Sequence, residues 1–348
     1  MNLILFGGTI MKNLKRILAV VLSLILIAVM FAGCSTKENN DTDISSNADS
    51  NQKKVAILQY MPHSSLDNCT QGVKNALDEA GIKYDVQIGS SGSADTDCQS
   101  YAQQMVASGY DLVIAVATPA AMSAYSAVQN ASSATPVVFC AVSDPVAAGL
   151  VETMEAPGKN CTGTADAIDI AGQIELIKTL QPEIKTLGVF YTTSEANSIS
   201  QLKTLEAECA KAGIELKSQG IAEASELASA AAALVPQVDA ITNLTDNNVV
   251  DNMNVFLEQA NAAKIPVYGS EIEQVKKGCL ASASIDYVAL GEKTGKMAVD
   301  ILGGKDAKTY AAVTVTDSFR VINPDAASKL GITVPESLSD VQQVKTGE

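Results

Sequence analysis

The chain has 348 residues with Lys+Arg 24 against Asp+Glu 39; its formal charge of −15 repels polyanions and argues against a nucleic-acid partner. Aromatic residues amount to 4% and Trp is absent, so a base-stacking surface is not in prospect. A hydrophobic content of 47% over this length is enough for two domains with cores of their own.

Read from its start, the chain opens with Lys12, Lys15 and Arg16 ahead of the apolar run "ILAVVLSLILIAVMF" and then "FAGC". A basic flank, an apolar centre and small residues before a cleavage point are the layout of a secretory signal. "FAGC" resembles a bacterial lipobox with Phe31 in place of the usual Leu, which makes Cys34 the expected lipidation site and residues 1–34 the signal. Met11 begins a more typical signal than Met1. Residues 35–52, "STKENNDTDISSNADSNQ", are polar and aperiodic and read as a flexible tether. The six cysteines beyond Cys34 are scattered, with no C-x-x-C and no zinc-type spacing; an exported protein could pair some of them, but most read as small core residues, and no metal and no cofactor is expected.

From residue 53 apolar strands alternate with amphipathic helices. "KKVAILQY", "KYDVQIG", "DLVIAVA" and "PVVFCAV" are strands, and the helices between them include "LDNCTQGVKNALDEAGI", with Val73, Ala76, Leu77 and Ala80 at helical spacing. The pattern returns with strands "TLGVFYT", "ELKSQGI", "DAITNL" and "IPVYGS" and helices such as "SISQLKTLEAECAKAGI" and "VVDNMNVFLEQANAAK". Such alternation predicts doubly wound parallel sheets. The numbering repeats as well. "AGI" follows Val55 at Ala80 and follows Leu187 at Ala212, at one offset; Asp111 to Thr118 and Asp239 to Asp246 share another. The prediction is an α/β chain of two doubly wound parallel-sheet domains joined by a hinge. One comprises 53–165 plus about 287–310, and the other 166–286 plus about 311–348. "VTVTDSFRVIN" is expected as a strand pair or bent strand near the end.

In such sheets ligands bind beyond the carboxyl ends of strands. The polar clusters of this chain fall there: "YMPHSSLD", "ATPAA" and "VSDPVAAG" in the first half, "YTTSEANS", "NLTDNNV" and "YGSEIEQ" in the second. Ser65, Ser198 and Asp246 are also suited to capping helices, but "TTSEANS" holds more polar residues than one cap requires.

These loops, with "TPVVFCAVSDPVAAGLV" and "PVYGSEIEQVKKGCLASASIDYVALGEKTGKMA", resemble the ABC-transporter substrate-binding proteins of the family with tryptophan-, tyrosine- and phenylalanine-binding members, over nearly all of residues 53–335. The resemblance implies the periplasmic-binding-protein type I fold, closure on a small amino-acid-like ligand, and an ABC permease with its ATPase as partners. It also implies an extracytoplasmic monomer held at the membrane by its lipid. "YMPHSSLD" departs from the family's more usual acidic-His-Pro form, which leaves the accepted side chain open. On this reading the helix starts at Ser198 and at Thr118, Pro119 and Ala120 suit a carboxylate, with Ser65, Ser194, Asn197 and Asn247 as further contacts. Asp246, Glu195 and Asp286 are the candidates for an ammonium, and Asp144 is expected to stabilise its own turn. An enzyme lacks parts: one His, no G-x-S-x-G, no H-E-x-x-H and no Walker motif. A tethered sensor, or the same fold binding a nucleoside or sugar, are the alternatives.

Overall fold

The computed structural model describes residues 53–347. The expected signal, Cys34 and the tether lie outside the described residues. Among the described residues, no helix is long and apolar enough to cross a membrane.

The first half is built from β1 (Lys54–Gln59), α1 (Ser64–Glu79), β2 (Lys83–Ile88), α2 (Ala94–Ala107), β3 (Leu112–Val116), α3 (Thr118–Asn130), β4 (Val137–Cys140) and β5 (Cys161–Ala165). β3 reads "LVIAV" and is buried at every position, as a parallel strand covered on both faces must be. Along α1, Leu66, Cys69, Val73 and Leu77 form the buried stripe. The helix stops at Ala80, where Gly81 takes a left-handed φ of 68°.

The chain then crosses to a second body: α4 (Ile170–Leu180), β6 (Thr186–Thr192), α5 (Ala196–Ala212), β7 (Glu215–Ile221), α6 (Leu227–Leu234), β8 (Ala240–Thr242), α7 (Asn247–Asp251), α8 (Met253–Ala262), β9 (Val267–Tyr268), α9 (Ile272–Lys276) and β10 (Ala281–Ile285). α10 (Tyr287–Leu302) and β11 (Val313–Thr314) return to the first core, and β12 (Ser318–Ile322), α11 (Pro324–Leu330) and β13 (Gln342–Gln343) end in the second. The crossings therefore lie at residues 166–169, at Asp286 and at 315–317.

The first sheet runs β11-β5-β4-β3-β1-β2 and the second β7-β6-β8-β9, parallel throughout. The repeat seen in the numbering is a repeat of register: Val55 pairs with Tyr84 on β2, and Leu187 with Leu216 on β7. Asp111 accepts the Lys54 N–H at 2.9 Å, and Asp239 accepts the Thr186 N–H at 2.8 Å, so each aspartate pins the start of the neighbouring strand.

Two local features differ from the sequence reading. β12 pairs antiparallel with β10, because β10 runs toward the crossings and β12 runs away from them. The helix read across 249–264 is broken at Asn252, whose side-chain amide donates to the Asn248 carbonyl at 2.9 Å and competes with the helical ladder.

α10 lies directly on α1. A Cβ on Gly291 would stand 2.0 Å from the Cys69 carbonyl oxygen, and one on Gly72 would stand 2.0 Å from that of Val288. This contact fixes the first residue of α10, Tyr287, against the cleft between the two bodies.

Candidate functional site

The strands of both sheets end facing a common cavity. From the first half come His63, Ser65 and Leu66 beyond β1, Ala117 and Thr118 beyond β3, and Ala141 and Ser143 beyond β4. Asp166 enters from the end of β5 and Tyr287 from the start of α10. The second half adds Asn197 beyond β6, Thr245 to Asn247 beyond β8, and Ser270, Glu271 and Gln274 beyond β9.

Four buried polar atoms on this wall have no hydrogen-bond partner: His63 Nδ1, Ser65 Oγ, Thr118 Oγ1 and Asn197 Oδ1. Buried polar groups are nearly always paired, so such a concentration marks a place where a partner is supplied from outside. Thr118 opens α3, and Ala117 before it holds φ 81° and ψ 155°, a backbone state that a residue with a Cβ rarely adopts. Ala141, also on the wall, has φ 55°. Pro119 brings no N–H, and the N–H groups of Thr118 and Ala120 have no intrahelical acceptor at this helix start.

The carboxylates differ in how they are occupied. Asp246 caps α7 by accepting the Val249 N–H at 2.9 Å, and it also takes the Thr192 hydroxyl at 2.8 Å, the Ser198 hydroxyl at 2.6 Å and the Thr192 N–H. Glu195 accepts from Asn197 Nδ2 at 2.9 Å and from the backbone and side-chain N–H groups of Asn247 and Asn248. Burial, and then the Asp246 charge, push the Glu195 carboxyl up, and these donors pull it partly back. Glu271 caps α9 through the N–H groups of Glu273 and Gln274. Burial raises it to about 7, against a pull from Ser65, whose hydroxyl approaches without completing a hydrogen bond of normal geometry. Asp166 accepts from Ser143 Oγ at 3.1 Å and Tyr287 Oη at 3.2 Å, and burial raises it to about 6. Among the described residues, no lysine or arginine lines the cavity.

Of the residues singled out from sequence, Ser65, Thr118, Asn197, Asp246 and Asn247 meet at this wall. Glu195 and Ser198 are buried behind it, bonded to Asn247 and to Asp246 respectively. Ala120 is buried within α3. Ser194 is exposed and lies in a separate groove with Tyr60 and Asp95. Asp286 is exposed and caps α10 through the Val288 and Ala289 N–H groups. Asp144 accepts the Ala147 N–H of its own turn at 2.9 Å, and also the Ser200 hydroxyl at 2.7 Å. Sequence reasoning named the loops of Ser143, Ser270, Glu271 and Gln274 without singling these residues out, and it missed Asp166 altogether.

Hydrogen bonds also cross the cleft. The His63 ring, kept neutral because burial lowers it to about 4, donates Nε2–H to Asn247 Oδ1 at 3.3 Å. Gln201 Nε2 donates to Ser143 Oγ at 2.9 Å, and the Ser143 and Thr245 hydroxyls stand 3.1 Å apart.

The family model described as "ABC transporter substrate binding protein" matches residues 54–345. The chain belongs to this family. Its members bind substrates for transport and are not enzymes, and the fold is that of the periplasmic-binding proteins of type I. A tyrosine-binding protein of Clostridioides difficile (strain R20291) is 36% identical over 342 residues, 96% of this chain and 97% of the relative.

Two solved structures bracket the arrangement of the two halves. An ABC domain from Streptococcus pneumonia in complex with L-Trp is 35% identical, and superposes with a TM-score of 0.80 over 84% of this chain and 99% of that one. The ligand-free, open structure of a substrate-binding protein with adhesive properties from Clostridium difficile is 36% identical with the same coverages, 84% and 99%, yet its TM-score is 0.64. At nearly equal identity, the substrate-binding protein described here is more similar in shape to the ligand-bound relative than to the open one. The bonds across its cleft agree with that.

Proposed function

We propose that the chain is the extracytoplasmic solute-binding component of an ABC importer, that it takes a free amino acid in the cavity between its two halves, and that Cys34 carries the lipid that anchors it. A permease and its ATPase are the partners to which the ligand is delivered. The observation that carries the reading is the group of four unpartnered polar atoms around a cavity that also holds buried carboxylates and, among the described residues, no basic side chain. An amino acid brings one anionic and one cationic end. The free N–H groups and hydroxyl at the α3 start suit its carboxylate, the buried acids suit its ammonium, and Leu66, Ala117, Ala141 and Val250 offer apolar surface to its side chain. Ser65, Asn197 and Asn247 are further contacts. The tyrosine- and tryptophan-binding relatives favour an aromatic or other hydrophobic amino acid.

Closure follows from contact with both halves at once: a ligand held by Thr118 on one side and Asn197 on the other stabilises the closed arrangement by its differential affinity for it. A thermal-melt screen of the protein against the twenty amino acids, several nucleosides and several sugars tests the reading. At a hundred times the dissociation constant, linkage gives about 2.7 kcal/mol of stabilisation, a rise of several degrees. Response to tyrosine, tryptophan or phenylalanine is expected. Response to a nucleoside or sugar alone would overturn the amino-acid assignment.

A further inference from the structure

We propose that Asp166 is the carboxylate that receives the cationic amino group of the ligand, and that this contact joins ligand capture to the closing of the two halves; the inference rests on the amino-acid reading above. The argument begins with acceptor capacity. A carboxylate offers about four acceptor positions. Asp246 has four donors on it and Glu195 has five, all from the protein itself. Asp286 is exposed and is not on the cavity wall. Glu271 reaches the wall but holds two backbone N–H groups of α9. Asp166 accepts from its own backbone N–H and from two side-chain hydroxyls, those of Ser143 and Tyr287, and each hydroxyl can turn to another acceptor. It is 3% exposed, and among the described residues no basic side chain shares its cavity. A buried carboxylate so placed is stabilised by an incoming cation more than one already surrounded by N–H donors.

Position supplies the second line. Asp166 is the first residue after β5, where the chain leaves the first sheet, and Tyr287 is the first residue after the crossing at Asp286. Their hydrogen bond therefore ties two of the crossings together. Ser143, the other donor, accepts from Gln201 and touches Thr245 across the cleft. An ammonium on Asp166 thus sits one bond from two chain crossings and one bond from the contacts that close the cleft.

The test compares L-tyrosine and L-tryptophan with their counterparts lacking the amino group, 3-(4-hydroxyphenyl)propionate and 3-indolepropionate, on the full chain and its Asp166→Asn variant by calorimetry. Asp166→Asn is expected to weaken the amino acid about 10²-fold, and to change the affinity of the desamino acid by less than about threefold. Equal loss for both, or loss for neither, overturns the assignment while leaving the amino-acid reading intact. Failure of the unaltered protein to bind any amino acid overturns that reading, and the assignment with it. Should the variant not fold, a crystal structure of the unaltered protein with the amino acid decides. The ammonium nitrogen within about 3.2 Å of Asp166 supports the proposal; the nitrogen on Asp246 or Glu271 instead overturns it.

Discussion

Two helix starts at the cavity occupy the same place in the two repeats and are built in opposite ways. At α3, Thr118 leaves its hydroxyl without a partner and no side chain caps the helix. At α7, Asp246 stands at the equivalent offset and is tied to four donors of its own half. Of these two helix starts, the first leaves its hydroxyl open and the second closes its carboxylate into a scaffold. The lesson is that a polar residue beside a cleft is weak evidence of ligand contact. The informative quantity is what remains unpaired once internal bonds are counted.

The contrast breaks most visibly at its scaffold side. Asp246→Ala strands two buried N–H groups and two hydroxyls, and should cost about 3–5 kcal/mol of stability in urea melts; a loss below about 1 kcal/mol would show that the four bonds do not matter. The open side should reveal itself by titration. Burial raises Asp166 from 3.8 to about 6 and Glu271 from 4.5 to about 7, so their contribution to stability is complete below the lower values and is lost as pH rises through the upper ones. His63, lowered from 6.5 to about 4, has the opposite sense: its contribution is present above 6.5 and is lost as pH falls through about 4. Without ligand, Asp166→Asn should gain up to about 3 kcal/mol on the unaltered protein at pH 8, and nothing at pH 3. Equal stability differences at both pH values would contradict a buried, cation-free carboxylate.

Smaller effects sharpen the picture. Gly291→Ala places a methyl 2.0 Å from the Cys69 carbonyl and should cost about 1–3 kcal/mol in thermal melts. Because it displaces Tyr287, it should also weaken ligand binding, whereas a change of equal cost far from the cleft should not. Thr118→Val removes only an unpartnered hydroxyl. Stability should stay within about 0.5 kcal/mol while amino-acid affinity falls about tenfold; the reverse pattern would place Thr118 with the scaffold.

Much of the fold was legible because repeat and hydrophobic period agree. Asp111 and Asp239 fall at matching offsets because each pins a strand in the same register, and both "AGI" stops are helix ends set by a left-handed glycine. The strand-end rule brought Ser65, Thr118, Asn197 and Asn247 to the cavity wall. It did not reach Asp166, because β5 reads "CTGTA" and lacks an apolar run. Its core positions are threonines whose hydroxyls are paired inside, Thr164 with Thr294 at 2.6 Å and Thr162 with the Tyr310 carbonyl at 2.6 Å. A strand that buries satisfied hydroxyls gives no hydrophobic signal, so the residue at its end went unmarked. The pairing of Glu195 and Ser198 behind the wall was equally invisible, since it joins the α5 start to the α7 start through side chains 48 and 52 residues apart in sequence.

The central claim is that the unpartnered groups of the cavity between the two halves hold an amino acid. Calorimetric titration of the full chain with L-tyrosine and with L-tryptophan tests it most directly. Saturable one-to-one binding at roughly micromolar dissociation constant or tighter is the predicted result. No binding of either, or of any other amino acid, at millimolar concentration would contradict it.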